Sequence, residues 1–532
     1  MTQLQDSSPR ARPGVGPLTL VVSLLVLAGL GFLLREPLGD AWPDGCGERL
    51  EKLGGECVGV TDGSHVFMDE LAEVSARIKE ENKRVEKKPH VTIALMIPMA
   101  SDHADVRKMI LHEVQGAYIA QYRANNDPEE SGDPPAIRMV LAHPGKTREE
   151  WRPVTEELAR MAKSPEDNLR VVFGFDLSVQ STKDAIDDLT NNKGIPVVGG
   201  ALTGGIGNPD IDHIRYKGFA RVVPDNAEQA DALALYDKKR DSKRAILVED
   251  RREKDDYVRS LREAFERRLR GSPRDPLSFV SPGPDDESGL SAEFRRMTTN
   301  ICATTPPVDT VYFAGRPVHL RQFVNALAVH RPCGDRDFTV VSGSGASTLY
   351  ADEKLDWEAL RGDTSTGRRQ VVVQYTSVAH PDSWVSKKAP ATGGSAGPVQ
   401  KLRRCLEGKP PCAEAVPMGP ADISDSRTIS AHDSAWTAIR GIRIHAEGTD
   451  GLPSLRDIRN DWDGLQGVDK VEGASGWICL DGAGNPYNKA VAVVRLNPFE
   501  KKPQFVDLAW PRGAPPVRDP RNTGACQIPR QR

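Results

Sequence analysis

The chain has 532 residues, 38% hydrophobic and 27% charged, so it exceeds one small module and is neither wholly disordered nor a polytopic membrane protein. Its 71 basic and 75 acidic side chains leave a net charge of −4, so no global field draws it to nucleic acid or to an anionic membrane surface. Binding has to arise at a local site, and no nucleic-acid partner is expected.

One segment departs from this average. From Pro13 to Leu34 no side chain is charged, and residues 18–34 read LTLVVSLLVLAGLGFLL, close to the roughly 20 residues that cross a hydrocarbon core. A transmembrane helix is expected over 18–34, with a cytoplasmic tail at 1–17. The residues that follow, REPLGDAWPDG, lack a small-x-small cleavage site, which favours an uncleaved anchor over a cleaved signal peptide. Arg10 and Arg12 on one flank are matched by Arg35 and Arg49 on the other, so charge alone does not orient the helix. All eight cysteines follow it: Cys46, Cys57, Cys302, Cys333, Cys405, Cys412, Cys479 and Cys526. An even number beyond the helix suits disulfides in an oxidising compartment, which places a single-pass protein at the cell membrane with its C-terminal domain extracellular. Cys46 with Cys57 and Cys405 with Cys412 are short-loop candidates, leaving Cys302 with Cys333 and Cys479 with Cys526; free buried thiols are the other reading. No CxxC or HxxxH spacing occurs, so no metal site is expected.

Residues 35–89 are expected to form an extracellular stalk. Its helix carries Leu71, Val74, Ile78 and Val85 on one stripe, which suits packing on the globular domain, standing that domain off the membrane, or self-association. From His90 onward, short β-rich runs alternate with amphipathic helical runs: VTIALMIP and a helix through Val106, Met109, Ile110, Val114 and Tyr118, then IRMVLA, VVFGF and IPVVGG. A second series starts near Lys217 with GFARVV, a helix from Asn226, AILVED, a helix with Val258, Leu261 and Phe265, DTVYFAG and FTVVSG. Strands alternating with helices imply βαβ units and parallel sheets, and two series imply two α/β lobes. Residues 387–420, rich in Pro, Gly and Ala, are expected to be mostly a surface insertion. A helical run follows in AHDSAWTAIRGIRIHAEG. In SGWICLDGAGNPYNKAVAVVRL two strand-like runs flank a Gly-rich turn, a hairpin or crossing signal. The acids of an EF-hand loop are absent there, so a turn is expected at Asp481 rather than calcium.

In this order, VTIALMIPMA with HEVQGAYIAQYRANN, VVFGFDLSVQSTKDAIDDLTNNKGIPVVGGALTGG, KGFARVVPDNAEQADALALY, and DTVYFAGRPVHLRQFVNALAVH with FTVVSGSGA resemble the type I periplasmic binding proteins, specifically the branched-chain amino-acid-binding branch of ABC-transporter solute receptors. SGWICLDGAGNPYNKAVAVVRL resembles the family's last crossover, so the resemblance spans roughly residues 90–510. It implies a two-lobed α/β fold of two parallel-sheet sandwiches with hinge crossovers at Val222–Asn226, Ala379–Asp382 and Tyr487–Lys489. The first lobe is expected at 90–222 and 381–488, and the second at 223–380 with a return and tail at 489–532. Ligands of open α/β sheets sit beyond the carboxyl ends of the strands, here FDLSVQS and GGALTGG. By resemblance Ser178 falls near the ligand-contacting serine, while Ala201 and Thr203 match the pair that holds a ligand carboxylate. For Ser178 a helix N-cap is the alternative. The second lobe departs from the family: Arg316 and Pro317 stand where an aromatic is usual, and Ser344 where an acid pairs with the ligand's ammonium. Arg316 is expected either to pair with a ligand carboxylate or phosphate or to be a solvated rim charge, and residues 251–256 to form a solvated surface.

The function expected is a membrane-tethered extracellular receptor that closes on a small polar solute, amino-acid-like or an organic anion, for an ABC-type permease, without a cofactor. A sensing ectodomain that signals through a partner is the alternative. A secreted α/β hydrolase is remote: His432, Asp433 and Ser434 are consecutive on one helix and cannot converge as a triad, and no GxSxG elbow exists.

Overall fold

The computed structural model describes residues 45–516 apart from 130–132, 207–215, 239 and 447–451, together with Cys526 and Ile528. The chain divides into residues 1–48 and a compact unit, Arg49–Arg532, that contains two α/β lobes. The apolar run at 18–34 and the tail before it lie outside the described residues, among which no helix is long and apolar enough to cross a membrane.

The first lobe is built from β1 (Leu50–Leu53), β2 (Glu56–Thr61), α1 (Ala72–Val85), β3 (His90–Met96), α2 (Ala104–Asn126), β4 (Ala136–His143), α3 (Trp151–Lys163), β5 (Leu169–Gly174), α4 (Gln180–Asp187), β6 (Val197–Gly199) and β7 (Phe219–Arg221). Its sheet runs β1-β2-β4-β3-β5-β6-β7. β3 to β7 are parallel neighbours, whereas β1 and β2 form an antiparallel edge. Val91 to Met96 are all buried, as a parallel strand covered on both faces requires.

The chain then enters the second lobe with α5 (Asn226–Tyr236), β8 (Ala245–Asp250), α6 (Asp256–Arg268), β9 (Leu277–Phe279), α7 (Ser291–Cys302), β10 (Thr310–Ala314), α8 (Pro317–His330), β11 (Phe338–Ser342), α9 (Trp357–Arg361) and β12 (Val371–Ser377). It returns to the first lobe with α10 (Ala396–Leu406), α11 (Ser426–Ile444), α12 (Leu455–Asn460) and the two-stranded β13 (Val471–Gly473) and β14 (Gly476–Ile478). It crosses again into β15 (Val491–Asn497) and β16 (Lys502–Ala509), which add antiparallel strands to the second sheet, ordered β16-β15-β12-β11-β10-β8-β9. The Gly-rich turn before β15 is therefore a crossing, closed locally by an antiparallel bridge between Leu480 and Pro486, and β14 and β15 themselves do not pair. Asp481 closes it by accepting from Ala483 N and Asn485 N, each at 2.9 Å.

Two expectations need correction. The described part of the expected stalk belongs to the first lobe: β2 pairs with β4, and Leu71, just before α1, with Val74 and Ile78 of α1, is fully buried in that lobe's core. An apolar helical stripe buries itself on the nearest complementary face, here the sheet end beside β4. The segment 387–420 is likewise not mainly a surface insertion. Val399, Leu402 and Cys405 of α10, with Cys412, Ala415 and Met418, join the same core, and its prolines and glycines mark the turns between them.

α11 lies along α2. Gly116 permits the approach, since a Cβ there would sit 2.2 Å from Thr428 O. Disulfides join Cys302 to Cys333, Cys405 to Cys412 and Cys479 to Cys526. Cys46 and Cys57 are also disulfide-bonded, and no described cysteine is free.

Candidate functional site

The carboxyl ends of the central strands of both sheets face one cleft, as open α/β sheets require of a ligand site. After β5 come Asp176, Leu177 and Ser178; after β6, Ala201 and Thr203; after β10, Arg316; after β11, Ser344; and the start of α11 adds Ser426 and Arg427. All of these line one cavity of about 360 Å³. The five residues expected from the sequence, Ser178, Ala201, Thr203, Arg316 and Ser344, are thus on a common wall.

Their roles within the chain differ from the sequence reading. Ser178 is buried and does not cap α4, whose first turn has no side-chain cap. Its hydroxyl instead accepts from Gly204 N at 3.0 Å, a contact that admits only a glycine, since a Cβ at Gly204 would lie 2.5 Å from Ser178 Cβ. Arg316 is neither a rim charge nor unpaired: it is 4% exposed and donates to both carboxylate oxygens of Asp255, at 2.9 and 2.8 Å. Its guanidinium also lies 4.8 Å over the Tyr257 ring. Residues 251–256 are therefore not simply a solvated surface. Asp255 is buried, accepts from Val258 N at 3.1 Å as the cap of α6, and neutralises Arg316. Burial pushes the Tyr257 phenol up to about 12, so it stays a neutral donor or acceptor, and it accepts from Gly345 N at 3.1 Å.

On the first-lobe side, Arg427 donates to Glu113 at 2.6 Å, and Arg148 donates to both oxygens of Asp176, from Nε at 2.9 Å. Burial pushes Glu113 up to about 7 against the pull of Arg427. Burial also opposes the charge of Asp176, but the Arg148 guanidinium outweighs it and holds Asp176 below the usual carboxylate range. Beside them His112 meets Asp425 at 2.9 Å. The floor of the cleft is thus a set of alternating buried and half-buried charges, with Arg427 and Asp176 reaching the cavity wall.

The two lobes touch across the cleft. Tyr257 N donates to Ser178 O at 3.2 Å, Ser344 Oγ to Thr203 Oγ1 at 3.4 Å, Ser426 Oγ to Ser347 Oγ at 3.0 Å, and Tyr350 Oη to Asp422 at 2.7 Å. No triad forms around His432. His432 and Asp433 bond at 2.9 Å and are fully buried, but Ser434 donates to Ala431 O and Asp433 accepts from Ala474 N and Ser475 N. The trio is a buried link between α11 and the loop before β14.

Sequence reasoning missed Asp255, Tyr257, Arg148, Glu113 and Arg427. Asp255 looked like one more charge in a hydrophilic run. Arg427 sits before the stretch whose apolar periodicity marks α11.

No family model matches the chain, and no curated protein matches it in sequence. Solved structures do match in fold. The leucine-binding protein LivK of Thermotoga maritima is 17% identical, with a TM-score of 0.55, over 80% of this chain and 100% of that one. The branched-chain amino-acid transporter substrate-binding protein LivJ of Streptococcus pneumoniae, in complex with isoleucine, is 13% identical, with a TM-score of 0.55, over 79% and 99%. A solute-binding protein of an ABC transporter from Rhodopseudomonas palustris, in complex with 3,4-dihydroxybenzoic acid, is 12% identical, with a TM-score of 0.52, over 82% and 100%. At this identity the likeness is one of fold: two mixed, largely parallel α/β sandwiches with the fold of the type I periplasmic binding proteins.

Proposed function

We propose that this chain is a membrane-tethered extracellular solute receptor, whose two lobes close on a small polar ligand, amino-acid-like or an organic anion, and present it to an ABC-type importer. The observation that carries this reading is the cavity of about 360 Å³ at the strand ends of both sheets, within the range of about 300–1,000 Å³ usual for small-molecule sites. The fold neighbours, which bind leucine, isoleucine and a dihydroxybenzoic acid, support it. The apolar run at 18–34 would supply the single membrane helix, and the paired cysteines beyond it suit an extracellular domain. Ser178, Ala201, Thr203 and Ser344 would contact the ligand, and Arg427 and Asp176 would face its polar groups. Arg316, already paired with Asp255, would shape the wall rather than take a ligand charge.

Thermal melting of the full-length protein in detergent, screened against amino acids, short peptides and organic anions, tests this. A ligand at 100 times its Kd adds about 2.7 kcal/mol to stability, enough to raise the midpoint clearly. The same ligand should lose its effect on Arg427→Ala. Folded protein that no compound shifts at millimolar concentration would refute the reading.

A further inference from the structure

The cavity at the strand ends is not the whole cleft. A second chamber of about 830 Å³ adjoins it, and His103, Asp285, Glu287 and Lys354 stand on the walls of both. Both lobes line the outer chamber, with Lys146, Arg148 and Glu149 from the first and Arg252, Lys254 and Asp286 from the second. Pockets that take drug-sized ligands are on the order of 300–1,000 Å³. The inner chamber, at the small end of that range, suits one small solute, whereas the continuous cleft has room for a larger one.

The two chambers differ in chemistry. The inner wall offers the hydroxyls of Ser347, Thr348 and Ser430 beside the aliphatic side chains of Val106, Met109 and Leu349. The Tyr257 ring is buried, with Arg316 over one face, so it offers no open face on which a sugar or an aromatic acid could stack. The inner wall also carries Arg427 and Asp176, each already paired within the first lobe, while the outer wall carries charges of both signs with few apolar side chains between them. Arg252, one of its lining residues, has its Nη1 buried without a hydrogen-bond partner, a state that a polar ligand group could relieve. The backbone of this chamber is strained in both lobes: Arg148 has φ 69° and Lys254 φ 60°. Non-glycine residues in this region are strained and cluster at ligand clamps.

We propose that the cleft takes a short peptide, with amide groups and aliphatic side chains against the inner hydroxyl-lined wall and a charged terminus or side chain reaching Arg252, Lys254 and Glu149 in the outer chamber. A peptide supplies what the walls match: amides that both donate and accept for hydroxyls, aliphatic groups, and charges of both signs held a fixed distance apart. The assignment rests on the solute-receptor reading.

Calorimetry on the full-length protein in detergent, with leucine, benzoate, trialanine and tetra-alanine as probes, tests it. Tetra-alanine is expected to bind at least about tenfold more tightly than leucine, a difference of about 1.4 kcal/mol. Arg252→Ala and Glu149→Gln are each expected to remove most of that gain while leaving leucine affinity unchanged. Binding of leucine or benzoate with no gain from the peptides overturns the peptide assignment and leaves the receptor reading standing. Peptide binding indifferent to both substitutions overturns the outer-chamber contact, and no binding of any probe by folded protein overturns both.

Discussion

Arg316 and Asp255 are both buried, and their two hydrogen bonds leave neither charge exposed. Removing one partner of such a pair costs about 3–5 kcal/mol, because the other charge stays buried alone. Arg316→Ala should therefore lower unfolding stability in urea by an amount of that order, while the double substitution Arg316→Met with Asp255→Asn should cost clearly less than the two single changes added together. Additive losses would mean that the pair is not coupled. Lys489 poses a different residue-scale question. Its ammonium is buried and donates to the carbonyls of Ser475, Gly476 and Trp477, each at 3.3 Å, and burial lowers its pKa to about 8 against the attraction of Asp433. Above about pH 8 the folded protein releases this proton while the unfolded chain, with an ordinary lysine pKa near 10.4, still holds it. Stability should then rise with pH across that window, at up to about 1.4 kcal/mol per pH unit, relative to Lys489→Met. Parallel pH profiles for the two proteins would contradict the lowered pKa.

At the scale of elements, the described residues before β3 matter most. β1 and β2 extend the first sheet, and α1 covers it with Val74 and Ile78, together with Leu71 just before it. Asn82 of the same helix accepts from Met139 N at 2.9 Å and donates to Met139 O at 2.7 Å, so α1 is stitched to β4 by polar as well as apolar contacts. A fragment that starts at residue 88 lacks all of this and should be recovered aggregated or with a non-cooperative melt, whereas one starting near residue 45 should melt cooperatively. Circular dichroism of the two fragments decides the point, and a cooperative melt of the shorter one would show that the first three elements are dispensable. The stripe on α1 was legible as a helix because burial on one face imposes the 3.6-residue period. Its destination was not, because a stripe has the same spacing whether it meets a sheet, a membrane-proximal surface or a second copy. In 387–420 the Pro, Gly and Ala content reported the turns correctly but said nothing of the short helix between them, whose few apolar residues reach the core.

At the scale of the whole molecule, the lobes are held together across the cleft by side-chain hydrogen bonds, among them Tyr350 to Asp422 and Ser426 to Ser347. A single such bond contributes on the order of 1 kcal/mol, enough to move an open–closed balance about fivefold without unfolding either lobe. Tyr350→Phe should therefore weaken ligand affinity by about that factor through the smaller closed population, with little change in the urea midpoint. An unchanged affinity would show that this contact does not govern closure. The two runs of alternating strands and helices were enough to read two α/β lobes and to place the cleft at their strand ends, since a parallel sheet must be covered on both faces and leaves its carboxyl ends open.

The sequence by itself determined the local periodicity, the apolar run at 18–34, the short-loop cysteine candidates and the loops that line the cleft, because each depends on residues close together in the chain. Tertiary structure alone decided which charges are free. Arg316 finds Asp255 61 positions away and Arg427 finds Glu113 314 positions away, and only folding brings such partners within hydrogen-bonding reach. The same long-range assembly turned a run that looked solvated into a buried counter-charge and a segment that looked like a stalk into part of the core.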